Sequence, residues 1–146
     1  MEIKTDFLVL GSGIAGLFYA LKVAEYGTVA IVTKKQKAES NTNYAQGGIA
    51  SVLGPNDSFD SHIAETMNAG AHLCHRDAVE VLVKEGPTRV KELIELGVQF
   101  TQHVKVLDLS KAGGHSEHRI VHAADLTGKE VERALSTLSD REAEVI

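Results

Sequence analysis

A chain of 146 residues, 43% of them hydrophobic, carries enough apolar material for the core of one globular domain. Its 20 Asp and Glu outnumber 15 Lys and Arg, giving a formal charge of -5, and no basic run tracks a phosphate backbone, so nucleic acid is not an expected partner. No stretch approaches the ~20 consecutive apolar residues of a membrane span, no signal peptide is expected, and the lone Cys74 excludes an internal disulfide and a multi-cysteine zinc site. A single thiol suits a reducing, cytoplasmic compartment, with Cys74 as a small packing residue or, alternatively, a reactive thiol.

The run Asp6-Phe7-Leu8-Val9-Leu10 is almost wholly apolar, the pattern of a parallel strand covered on both faces. It leads directly into Gly11-Ser12-Gly13-Ile14-Ala15-Gly16. From Ile14 to Glu25, Leu17, Ala20, Leu21 and Ala24 recur at helical spacing, and Gly27 supplies a stop. Thr28-Val29-Ala30-Ile31-Val32 is a second buried strand, which completes a βαβ unit. The chain then turns polar through Lys34-Lys35-Gln36-Lys37. The segment from Ser40 to Ala50, with Gly47-Gly48 inside it, has the composition of a ligand-contacting loop.

Gly54-Pro55-Asn56-Asp57 marks a turn, and Ile63, Met67 and Ala71 line one face of the helix expected next. Asp77 and Glu80 have capping-box spacing before Val81-Leu82-Val83. Pro87 is placed to open a separate helix through Val90, Leu93 and Ile94 to Gly97. Val98-Gln99-Phe100 reads as a short strand and residues 111–116 as a flexible loop. Thr127 and Glu130 form a second capping pair, ahead of a helix through Val131, Ala134, Leu135 and Leu138. Asp140, Glu142 and Glu144 read as a solvated terminal segment.

The spacing Gly11-x-Gly13-x-x-Gly16 carries the chemistry. The first glycine permits a tight turn, the second lets the backbone approach a pyrophosphate, and the third lets helix and strand pack closely. The helix N-terminus adds amide donors and a positive dipole end. The acidic residue usual at the end of the second strand is replaced by Thr33-Lys34, which argues against an ordinary NAD site. Lys34 suits either an extra phosphate or a solvated strand end. His115, His118 and His122 have a spacing that would gather nitrogens for zinc on a helix, but Gly113-Gly114 favours a loop there, so no metal is expected. Tyr44 is suited equally to stacking on a ring and to anchoring the loop.

The opening glycine motif, the Thr33-Lys34 strand end and Ser40-Asn41-Thr42-Asn43-Tyr44-Ala45-Gln46-Gly47-Gly48-Ile49-Ala50 together resemble the succinate dehydrogenase/fumarate reductase flavoprotein family, its L-aspartate oxidase branch in particular. Asp60-Ser61-His62, Ala69-Gly70-Ala71, Gly113-Gly114-His115-Ser116 and the run from Arg119 to Gly128 extend the resemblance in unbroken order to about residue 135. It implies a Rossmann-like α/β FAD-binding domain, a parallel sheet with flanking helices. Residues 1–146 are expected to be its N-terminal part, without the capping and C-terminal helical domains. An open sheet edge and an uncovered apolar face are expected with that.

The implied activity is FAD-dependent oxidation of L-aspartate to iminosuccinate, with oxygen or fumarate as acceptor, feeding NAD biosynthesis through quinolinate, in a longer parent enzyme. The alternatives are a fumarate reductase or succinate dehydrogenase-like flavoprotein, which Asn41 disfavours, and a truncated nucleotide-binding module with no activity of its own. Coupling to quinolinate synthase is implied as well. By resemblance, Gly11, Ser12, Gly13, Ile14, Ala15 and Gly16 lie on the pyrophosphate and Lys34 lies by the adenosine end. Asn41, Thr42, Asn43, Tyr44, Ala45, Gln46, Gly47 and Gly48 wrap the FAD. Membrane-complex relatives carry FAD covalently on a histidine where this chain has Asn41, so the FAD is expected to be non-covalent. Ala112 stands where the oxidase branch usually has a glutamate that helps orient the substrate amino group. Catalytic residues are expected in a later capping domain and none is assigned here.

Overall fold

The computed structural model describes residues 2–34 and 39–145, so the expected polar turn through residues 35–37 lies outside the described residues. In chain order the first elements are β1 (Phe7–Leu10), α1 (Ile14–Val23), β2 (Val29–Val32), α2 (Asn41–Tyr44), β3 (Ile49–Ala50), α3 (Phe59–Ala69) and α4 (Arg76–Glu95). There follow β4 (Gln102–His103), β5 (Val106–Leu107), β6 (Leu109–Ser110), β7 (Ile120–Val121), α5 (Thr127–Glu142) and β8 (Glu144–Val145). These form two compact units. One comprises Met1–Gln46, Leu96–Gln99 and Leu126–Ile146; the other comprises Gly47–Glu95 and Phe100–Asp125.

The first unit is the expected α/β arrangement. β1 and β2 pair in parallel from Phe7↔Val29 to Leu10↔Val32. Asp6 pins this register, because its Oδ2 accepts from both the amide and the hydroxyl of Thr28 at 2.8 Å. Val9, Val29 and Ile31 are buried on the sheet, Leu17 and Ala20 on α1, and Val131, Ala134 and Leu135 on α5, with α1 packed against both strands and against α5. At β1 the opposite sheet face is not covered as the apolar run suggested, since Leu8 is 61% and Leu10 77% exposed, although Ala30 beside Leu8 is buried.

Three expectations in this unit change. Residues 144–145, read as solvated tail, form β8 and pair in parallel with Ala30 and Ile31, giving the order β1-β2-β8. Thr127 is the first helical residue of α5, so it cannot act as its N-cap; Leu126 holds that place and makes no side-chain cap. Glu130 instead pairs with Arg133 and accepts the Gln99 amide at 2.8 Å. That bond also explains why residues 98–100 form no strand: a side chain, not a neighbouring strand, satisfies the backbone, while Val98 and Phe100 are buried.

In the second unit β3, β7 and β6 form an antiparallel sheet in the order β3-β7-β6. Ser58 caps α3 by accepting the Ser61 amide at 3.1 Å, and the helix ends at Gly70, so Ala71 lies beyond it with φ 46. Ile63, Val79 and Val83 form a core with Val52, Met67 and Cys74, which places Cys74 as a packing residue. Its Sγ fills the space a side chain at Gly70 would need.

Pro87 does not open a new helix. α4 runs unbroken for 20 residues through it, because Val79, Val83, Val90 and Leu93 stay in helical phase across the proline and their burial holds both halves in line. Glu80 bonds Arg76 and Lys84 instead of capping the helix. The β4–β5 hairpin was not expected: Val104 and Lys105 form its turn with φ 50 and 67, values that favour glycine or asparagine.

Candidate functional site

The site expected from the sequence begins where β1 ends. Gly11 takes φ 104, a left-handed conformation that suits glycine, and its amide donates to Val32 O at 2.8 Å. Ser12 is buried, with its Oγ 3.1 Å from Thr33 Oγ1, so the turn is tied to the end of β2. Gly13 is the N-cap residue of α1 and supplies no side-chain cap. At Gly16 an added Cβ would run into the carbonyl oxygen of Gly11, so only glycine lets the first turn of α1 pass this close behind the strand. Helix amides and the positive dipole end are thereby presented at the carboxyl edge of the sheet, the arrangement that receives a nucleotide's phosphates.

The segment after β2 is more regular than the expected loop. Ser40 Oγ accepts the Asn43 amide at 3.2 Å and so caps α2, while Ala45 N bonds Thr42 O. Thr42 Oγ1 accepts the Ile14 amide at 2.9 Å, which brings this segment to the start of α1. α5 holds the other side. Gly128 N donates to Ala45 O at 2.9 Å, and Gly128 lies so near the carbonyls of Thr42 and Ala45 that a side chain there would collide with them.

Of the expected cofactor residues, the structure therefore gathers Gly11 to Gly16 with Thr42 and its neighbours. Lys34, Asn41, Ala45 and Gln46 are exposed. Tyr44 is 67% exposed, which removes the packed-anchor reading and leaves its ring available. Gly47 and Gly48 belong to the second unit, where Gly48 lies against the backbone of Val121. Sequence reasoning passed over Ser40 as a cap and missed Glu132, a buried carboxylate on α5. The available signal was an acidic residue adjacent to Val131 on the apolar face that repeats through Leu135 and Ser139.

The second unit holds a polar centre that only the resemblance touched. Arg119, fully buried, donates to Asp57 Oδ1 at 2.8 Å, reaches Ser61 Oγ at 3.4 Å and pairs with Glu65 at 3.0 Å. Glu65 also accepts the Ser116 amide at 3.0 Å, so the glycine loop before Ser116 is moored to α3. The hydrogen bond from Ser116 is the main reason the Glu65 carboxyl sits below its ordinary range, with a contribution from Arg119. His62, 5% exposed and edge-on to His115 at 6.1 Å, is pushed below the usual imidazole range by burial first and Arg119 second.

The histidines considered for zinc do not share a helix. His118 Nδ1 lies 3.0 Å from Leu109 O, His122 lies 3.3 Å from Asp108, and His115 faces His62. Among the described residues no group of three or more His, Cys, Asp or Glu is placed to hold a metal. Nor, among them, is any helix long and apolar enough to cross a membrane.

A parallel βαβ unit whose glycine turn opens a helix at the strand ends defines a dinucleotide-binding α/β domain. The sequence profile of a family described as FAD binding domain matches residues 6–145. The chain belongs to that family, and FAD is the cofactor its fold serves. It is 55% identical over 138 residues to the chloroplastic L-aspartate oxidase of Oryza sativa subsp. japonica, a match covering 94% of this chain and 21% of the relative. With the L-aspartate oxidase of Nostoc sp. it shares 45% identity over 93% of this chain and 23% of the relative. The quinol fumarate reductase of E. coli superposes with a TM-score of 0.91 at 28% identity, over 99% of this chain and 25% of that one. The chain thus spans about a fifth to a quarter of the length of these proteins.

Proposed function

We propose that this chain is the N-terminal, cofactor-holding part of an FAD-dependent L-aspartate oxidase. The observation that carries the reading is the 55% identity to a named L-aspartate oxidase across 94% of the chain, joined to a glycine turn whose geometry suits a pyrophosphate. In this proposal Ser12, Gly13, Ile14 and Ala15 face the pyrophosphate and Lys34 lies by the adenosine end. Asn41 to Gly48 wrap the cofactor without a covalent bond, because the Asn41 amide is no nucleophile. When bound, FAD supplies the hydride acceptor for oxidation of L-aspartate to iminosuccinate. This chain's own residues hold and orient that cofactor, and no catalytic residue is assigned to them.

Reoxidation by oxygen or fumarate, delivery of iminosuccinate toward quinolinate and NAD, and coupling to quinolinate synthase belong to the oxidase reading and stand with it. The cytoplasmic setting is proposed from the single thiol, the 55%-identical relative being chloroplastic. A fumarate reductase or succinate dehydrogenase role is the second reading. It draws on the 0.91 superposition, but the identity there is 28%, about half that to the oxidase.

The test is a chimera in which these residues replace the matching segment of the Nostoc oxidase. FAD retention with oxidation of L-aspartate and not succinate is expected. Succinate oxidation, or retained FAD with neither activity, would overturn the proposal. Ala112, exposed in the loop before Ser116, removes a carboxylate the oxidase branch usually offers an ammonium group. Ala112→Glu in the chimera is expected to lower the KM for L-aspartate severalfold.

A further inference from the structure

We infer that Glu132 is a positioning residue for the FAD-holding segment: it fixes the hydroxyl of Ser40 and, through it, the short helix α2. Glu132 is 2% exposed on α5. Its Oε2 accepts from Ser40 Oγ at 3.0 Å and its Oε1 accepts from Ser136 Oγ at 3.2 Å. Ser40 Oγ at the same time accepts the Asn43 amide at 3.2 Å. A serine hydroxyl has one proton, so giving it to Glu132 leaves the lone pairs turned toward Asn43. The carboxylate therefore orients the cap.

α2 has four residues, far fewer than the ~12–15 at which an isolated helix becomes even marginal in water, so its shape depends on what holds its ends. α5 holds both of them, with Glu132 at Ser40 and the Gly128 amide at Ala45 O. Between those anchors Thr42 Oγ1 meets the Ile14 amide at 2.9 Å. A shift of α2 is thus transmitted to the start of α1, the end that presents amides to the pyrophosphate. Burying a carboxylate carries a desolvation cost, and here both of its oxygens accept hydroxyl protons.

This inference rests on the reading of residues 41–46 as part of the FAD site, and the experiment separates the two. The full chain is titrated with FAD as wild type, Ser40→Ala, Glu132→Ala, the double variant and Ser136→Ala, and exchange of the Asn43 amide is followed without FAD. Ser40→Ala and Glu132→Ala both remove the Ser40–Glu132 hydrogen bond to a charged acceptor and are each expected to weaken FAD binding about tenfold. The double variant should lose less than the two single losses combined, because both remove the Ser40–Glu132 bond. Ser136→Ala, which leaves α2 untouched, should bind within about twofold of wild type.

Faster Asn43 exchange in Ser40→Ala and Glu132→Ala but not Ser136→Ala supports the inference without FAD present. Wild-type affinity or unchanged Asn43 exchange in Ser40→Ala overturns it while leaving the site reading intact. Failure of the wild type to take up FAD overturns both. If Glu132→Ala does not fold, the contrast between Ser40→Ala and Ser136→Ala decides.

Discussion

Gly16→Ala is the substitution whose outcome the structure specifies most closely. The added Cβ meets the Gly11 carbonyl oxygen and lies 3.2 Å from Gly11 C and 3.3 Å from Val9 Cγ1. Two of these three neighbours are backbone atoms of the turn itself, so no side chain can rotate away and α1 must move off β1. Overpacking of this kind costs about 1–3 kcal/mol, and the backbone obstacle places Gly16 at the upper end. Alanine in a helix recovers about 1 kcal/mol, which leaves a net loss of about 2 kcal/mol. For a chain of this size that lowers Tm by about 4–8 °C. The displaced turn also carries the Ile14 amide with it, so FAD affinity should fall together with stability. Thermal unfolding and FAD titration of Gly16→Ala are to be compared with Gly113→Ala, where nothing lies within 4 Å of the added atom. Gly113→Ala should be neutral or slightly stabilising. A Gly16→Ala protein as stable as wild type and with unchanged FAD affinity would refute the reasoning.

Two further outcomes follow from the charged groups. Arg119→Met leaves Asp57, whose side chain is 1% exposed, beside Glu65 with no positive partner from Arg119, and should cost about 3–5 kcal/mol in chemical denaturation; a loss under about 1 kcal/mol would contradict it. Acidification should destabilise the fold in two stages. His62 titrates below 6.5 in the folded chain, mainly through burial and then through Arg119, while Asp57, Glu65 and His115 also act on it. The unfolded chain therefore takes up the proton first, and stability falls as pH drops below 6.5. Glu65, through Ser116, and Glu130, through Arg133, titrate below 4.5, so their stabilisation is lost as pH falls below 4.5 through their folded values. His62→Gln should abolish the upper stage and keep the lower one. Stability that is flat from pH 7 to 5.5 in the wild type would contradict this assignment.

What the sequence disclosed tracks the range of the interactions involved. The βαβ unit is local: two apolar runs, a helical repeat and a glycine turn lie within residues 6–32, and each is readable from its neighbours alone. Gly16 illustrates this, since its packing role follows from its spacing to Gly11. β8 was illegible because Glu144 looks like a solvated charge until its pairing with Ala30, over a hundred residues earlier, is seen. α4 was misread because Pro87 is a strong local signal that the continuous burial of Val83 and Val90 overrides. The hairpin after Gln102 hides behind Val104 and Lys105, residues that seldom adopt a positive φ. Within the candidate site the glycines and the exposed loop residues were visible from the motif. The link from Thr42 to Ile14 and the anchoring of α2 by Glu132 join residues 28 and 92 positions apart along the bonded pairs, which no local pattern encodes.

The central claim is that these residues form a cofactor-holding unit around the Gly11 to Gly16 turn. Titration of the purified chain with FAD, read by flavin absorbance alongside a Gly13→Glu variant, tests it most directly. The account predicts saturable binding by the wild type and its loss in Gly13→Glu, where a carboxylate would stand at the start of α1. Equal binding by both proteins, or no binding by a folded wild-type chain, would contradict it.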